Sequence, residues 1–160
     1  MNPSVPDRLD SAVRALTYVV LPALPKEASL AREQLQLVVG HLQITLAQYG
    51  QTPDFENEEA EDFGRLATTI ATLAQGGAKT KAASDVLKLV FEGRNDGPPL
   101  EATARLQKGI DDLLLALAED GEASSIGRVR EIVLNQSARR AIKDRKWFAM
   151  MGFDPDAATL

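Results

Sequence analysis

The chain has 160 residues, 44% apolar and 26% charged, with a net charge of −5 and no cysteine. That is enough chain for one core, burying about two-thirds of the unfolded surface, and too apolar for a disordered protein. Disulfides, thiolate nucleophiles and cysteine-ligated metal centres are excluded, and the acidic balance argues against general nucleic-acid binding.

The opening "MNPSVPDRLDSAVRAL" has no basic stretch leading into an apolar one, so no secretory signal is expected and the expected compartment is the cytoplasm. No apolar run approaches the length of a membrane span. Apolar residues recur at three- and four-residue spacing, and no run alternates for long, so every element is expected to be helical. Breakers fall at Pro22 and Pro25, from Gly50 to Pro53, at Gly76–Gly77, from Asn95 to Pro99 and at Asp120–Gly121. They delimit six predicted helices over about 6–22, 26–49, 54–75, 79–93, 99–119 and 124–150. The expected fold is all-α: an antiparallel helical bundle of about six helices. The second, third, fifth and sixth are its longer core members, and the first and fourth cover them. A single domain is expected over residues 1–153, followed by a loose polar tail over 154–160.

The first helix offers one apolar stripe, Leu9, Val13, Leu16 and Val20. The second is different. At 100° per residue, Leu35, Val38, Leu42, Leu46 and Tyr49 form one seam, while Leu30, Leu37 and Ile44 form another. A polar line, Gln34, His41, Thr45 and Gln48, runs between the seams. Two seams imply two neighbours, so this helix is expected to be the most buried. Its polar line then becomes the candidate internal pocket, and the plainer reading of His41 is a neutral, hydrogen-bonded core histidine.

The third helix opens on "DFENEEAED", Asp54 to Asp62, with six acids and no base. Its body carries the stripe Phe63, Leu66, Ala67, Ile70 and Leu73. An acidic first turn suits the helix dipole and simply faces water; alternatively it meets the basic end of the chain. Glu58, Glu59, Glu61 and Asp62 resemble in part the oxygen-ligand clusters of all-α nucleotide pyrophosphohydrolases. That family's second Glu-x-x-Asp is missing, with Asp111–Asp112 the nearest substitute, so no metal site is assigned. "QGGAKT", Gln75 to Thr80, lacks the Gly-Lys adjacency and preceding strand of a phosphate loop and is read as a helix stop. The fifth helix has the stripe Leu106, Ile110, Leu113, Leu114 and Leu117.

The sixth helix changes character along its length. Its seam runs Ile126, Val129, Val133, then Gln136, Arg140, Lys143, then Trp147 and Met150. Residues 128–146 hold seven bases against Glu131 and Asp144, a local balance of +5 that leaves −10 for the rest. Arg139, Arg140, Lys143, Lys146, Trp147 and Met150 are therefore candidate contacts. They would serve an interface with a second subunit, an intrachain dock in a helix bent near Asn135–Ser137, or an anion such as a nucleotide or coenzyme A.

One histidine excludes a Glu-x-x-His di-metal bundle, and His41 has no nucleophile elbow beside it. No catalytic residue is assigned, no cofactor is expected, and an enzyme is the less favoured class.

"LTYVVLPALPKEASLAREQLQLVVGHLQ", Leu16 to Gln43, resembles a family of small uncharacterised bacterial helical proteins. Their first helix ends in a similar Leu-Pro-x-Leu and their second carries a similar Ala-Arg/Leu-x-Val-Val pattern. Members tend to be encoded beside acyl-CoA dehydrogenases and aminoglycoside-phosphotransferase-like kinases. The resemblance implies an accessory role near acyl-CoA metabolism and assigns no site residue. The resulting expectation is a self-associating, non-catalytic helical interaction protein, a homo-oligomer that could partner a metabolic enzyme. The competing class is a small-ligand or anion binder.

Overall fold

In the computed structural model the described residues are 3–148. The fold is all-α. Helices α1 (Val5–Ala15), α2 (Leu21–Ala23), α3 (Ser29–Gln48), α4 (Thr52–Leu73), α5 (Ala78–Glu92), α6 (Pro99–Asp120) and α7 (Ala123–Trp147) follow in order. A π-helical turn over Leu16–Val20 joins α1 to α2, and a 3-10 turn over Gly93–Asn95 ends α5. Met150 and the expected tail over 154–160 lie outside the described residues. The chain divides into two compact units, residues 53–144 and residues 3–52 with 145–148.

Residues 53–144 hold the hydrophobic core. It joins Leu66, Ala67, Ile70 and Ala71 of α4 to Leu87 of α5, Leu106, Ile110, Leu113 and Leu117 of α6, and Val129 of α7. The predicted stripes of the third and fifth helices supply most of it. The fourth predicted helix, expected as a cover, is a core member: Leu87 is fully buried, and Ser84 Oγ donates to the Ala71 carbonyl 2.7 Å away. The second predicted helix, expected in the core, is not. Ser125 joins two helix ends, its Oγ donating to Leu73 O at 2.8 Å and accepting from Gln75 N at 2.9 Å.

Residues 3–52 form a helical hairpin. Ser4 starts α1 with a reciprocal cap: its Oγ accepts from Asp7 N at 3.2 Å, and the Asp7 carboxylate accepts from Ser4 N at 3.0 Å. Such caps satisfy donors that the first helical turn leaves unpaired. The π-helical turn sits directly before Pro22, which has no N–H to continue the ladder; the Leu21 N–H reaches back to Leu16 O. The carbonyls left at the end of this arm are taken by α3. Arg32 Nη1 donates to Leu21 O at 3.0 Å and to Leu24 O at 3.1 Å. Arg32 is itself half-buried.

Leu106 is fully buried within the core of residues 53–144. Leu106→Ala is expected to cost about 2–5 kcal/mol in urea unfolding, transfer and cavity terms together. A loss below about 0.5 kcal/mol, typical of a surface change, would contradict the placement.

Candidate functional site

The hairpin presents an unusual surface for a helix pair. Only Val13 of α1 is buried, and no residue of the 20-residue α3 is. The seam formed by Leu35, Val39, Leu42 and Leu46 is half-buried, on the same side as Arg32, whose guanidinium caps the α1–α2 arm. The second seam is open over its first two members, Leu30 being 69% exposed and Leu37 45%, while Ile44 is half-buried. Helical rotation places Gln34, Val38, His41 and Thr45 beside them, and all four are exposed. The expected internal pocket of Gln34, His41, Thr45 and Gln48 is therefore not internal. Only Gln48 is half-buried, and its side-chain amide donates to the Trp147 carbonyl at 2.8 Å. The first seam differs from the expected one: Val39 takes the place of Val38, and Val38 and Tyr49 are exposed.

Exposed Glu33 borders this face on one side, and the residues on the other side are uncharged. Leu30, Gln34, Leu37, Val38, His41 and Thr45 are all neutral when His41 is unprotonated. The other arm adds exposed apolar side chains of its own, Tyr18, Val19 and Val20, at the π-helical turn. Scattered apolar residues on a surface are ordinary. A helix seam left open along two turns, with Glu33 its one charged neighbour on α3, has the composition of an interface centre.

The basic end of the chain is arranged differently from the open cationic face considered for it. The helix shows no break at Asn135–Ser137; α7 is continuous to Trp147. Arg140 lies 3.3 Å from Glu59 and 3.5 Å from Asp144. Lys143 lies 3.1 Å from Glu58 and 3.4 Å from Asp62. Aromatic rings complete the contacts, Arg140 standing 4.9 Å from the centre of Phe63 and Lys143 5.0 Å from that of Phe55. The acidic opening of α4 thus meets the basic part of α7 within one chain. Partly buried charges at this distance are screened less than exposed ones, and cation–π contact adds to them. Arg139 and Lys146 are exposed, and Trp147 is half-buried. Of the six candidates on this helix, Arg140 and Lys143 are committed to their own chain's acids. The same pairing occupies the carboxylates considered for Mg²⁺, and among the described residues no group of three His, Asp or Glu side chains could hold a metal ion.

The "QGGAKT" loop also proves to be filled from within. Gly76 and Gly121 form a bridge, with Gly77 N donating to Asp120 O at 2.9 Å and Glu122 N donating to Gln75 O at 2.8 Å. The Asp120 carboxylate closes the start of α5, accepting from Lys79 N at 2.8 Å, Thr80 N at 3.0 Å and Thr80 Oγ1 at 2.6 Å. A helix N-terminus attracts an anion through its free N–H groups and dipole; here the anion is a side chain 40 residues away. The two glycines are required by this approach. A Cβ on Gly76 would stand 2.7 Å from Asp120 O, and one on Gly77 would stand 2.5 Å from Asp120 Oδ2. Nothing local in the sequence connects Asp120 to Thr80, although the Gly-Gly pair signals a close backbone approach.

The Thr80 hydroxyl, helped by the Lys79 and Thr80 amides and the Lys79 ammonium, holds the Asp120 carboxyl below its ordinary value of 3.8. Its contribution to stability is complete above that value and is lost as pH falls through the lower folded-state value. Asp120→Asn is expected to lower the thermal midpoint at neutral pH, with the gap to wild type closing in strong acid. A gap that stays constant across that range would contradict the assignment.

No helix among the described residues is long and apolar enough to cross a membrane. Comparison of the chain with protein-family models, with curated proteins and with solved structures gives no match.

Proposed function

We propose that this is a non-catalytic helical interaction protein that self-associates through the open face of its N-terminal hairpin. One observation carries the reading: α3 has two apolar seams, and Leu30 and Leu37 of the second are exposed. Two hairpins joined along these seams make a four-helix bundle, an arrangement that gives each α3 a second neighbour. A two-fold pairing brings the same patch to itself, so a charged patch would oppose its own charge. Apart from Glu33 at its edge this face is uncharged, which suits a second copy despite the chain's net charge of −5. The interleaved Gln34, His41 and Thr45 supply polar groups for register, in the way that isolated polar residues specify helix pairing.

The basic end of α7, the other candidate interface, is less suited to the task. Its Arg140 and Lys143 have partners within the chain. Association with a metabolic enzyme, which the resemblance of residues 16–43 implies, belongs to the same region, since those residues span most of the hairpin.

Sedimentation velocity over a range of concentrations tests the reading. The wild type is expected to pass from monomer to dimer. Leu30→Asp with Leu37→Asp is expected to weaken dimerisation by about 100-fold or more, because each buried, unpaired carboxylate costs several kcal/mol. Circular dichroism should show the core of residues 53–144 still folded in that variant. A wild type that stays monomeric, or a double variant that dimerises as before, contradicts the proposal.

A further inference from the structure

A groove of about 270 Å³ lies between α4 and α7, within residues 53–144. Leu66 and Ile132 give it an apolar floor, while Arg65 from α4 and Asn135, Gln136 and Arg139 from α7 line its walls. Gln136 is the seam position at which α7 turns from apolar to polar, following Val129 and Val133. It is half-buried, and its amide has no hydrogen-bond partner among the described residues. Asn135 and Arg139 likewise have no side-chain hydrogen bond or ion pair among them. This contrasts with the next turns of the same helix, where Arg140 and Lys143 are both paired with acids.

The charges around the groove fix the sign of what it can take. Asp62, also in the lining, is engaged by Lys143 and Arg65. Arg65 is in turn committed to Asp62 and Glu61. Arg139 is the cation of the lining whose charge no acid offsets. Its planar fork matches a carboxylate held by two N–H groups. The neighbouring amides of Asn135 and Gln136 each offer a donor and an acceptor, which suits a hydroxyl, carbonyl or amine on the same molecule. A phosphate monoester, carrying close to two negative charges, would bring its second charge toward Asp62 and is disfavoured. The volume lies just below the usual range of drug-sized sites, so the ligand is small.

We infer that the α4–α7 groove binds a small organic carboxylate bearing a second hydrogen-bonding group, with Arg139 holding the carboxylate and Asn135 and Gln136 the second group. The site does not depend on self-association.

The test is an NMR titration of the full chain, following the Arg139 side chain and the side-chain amides of Asn135 and Gln136. The probes are glycolate, lactate, pyruvate, glycine and glutamine, with chloride and inorganic phosphate as controls. Saturable shifts at millimolar concentration are expected with at least one of the carboxylates, weakened about tenfold in Arg139→Gln, a loss equivalent to one charged hydrogen-bonded contact. Arg139 is exposed, so the variant is expected to keep its fold, checked by its amide spectrum. The inference is overturned by the absence of saturable shifts with all five carboxylates, by equal shifts with chloride, by a response to phosphate alone, or by undiminished binding in Arg139→Gln.

Discussion

A helix with two apolar seams needs two neighbours, and α3 leaves Leu30 and Leu37 of its second seam exposed. This constraint separates the two halves of the molecule in physical kind. Residues 53–144 satisfy their own apolar faces, with eight apolar side chains larger than alanine buried among four helices. The hairpin buries one residue, Val13, and holds itself together largely through backbone satisfaction: the Ser4–Asp7 cap and Arg32 on the carbonyls of Leu21 and Leu24. Net hydrogen bonding contributes modestly to stability compared with apolar burial. A pair of helices without a core is marginal in water. Covering the open seam with a second copy is the change that would give the hairpin the burial it lacks.

A second pattern runs through the structure: positions suited to an outside ion are occupied by the chain itself. Asp120 fills the N-terminus of α5, and Glu58, Glu59 and Asp62 take Lys143 and Arg140. These contacts join elements distant in sequence and so fix how helices end and meet. They also narrow where chemistry directed outward can occur. Among the features left open are the exposed part of the α3 seam and the uncompensated arginine of the α4–α7 groove.

Helix placement was legible because spacing and breakers are local. The stripes around Leu66 and Ile70, and around Leu106 and Leu113, follow the helical period, and Gly76–Gly77 and Asp120–Gly121 punctuate them. Which helices make the core was less legible. Periodicity shows that the α3 residues Leu30 and Leu37 share a face but not whether a neighbour of the same chain reaches it. The length of α3 favoured it over α5, yet Leu87 and Ser84 place the shorter helix in the core. Contacts that depend on tertiary approach were invisible. Asp120 on Thr80 spans 40 residues, and Arg32 reaches carbonyls exposed only because Pro22 and Pro25 interrupt the preceding arm. The meeting of acidic α4 with basic α7 was only half legible: the acidic run was expected first to face water, and its pairing with the basic end stood as the alternative.

Hydrogen–deuterium exchange at two protein concentrations, one below and one above the association midpoint, addresses the central claim directly. If a second copy completes the hairpin, amides of α1 and α3 gain protection at the higher concentration, while those buried in α4 to α7 exchange at unchanged rates. Protection of residues 29–48 that is the same at both concentrations would show that α3 needs no second copy, and would contradict the account.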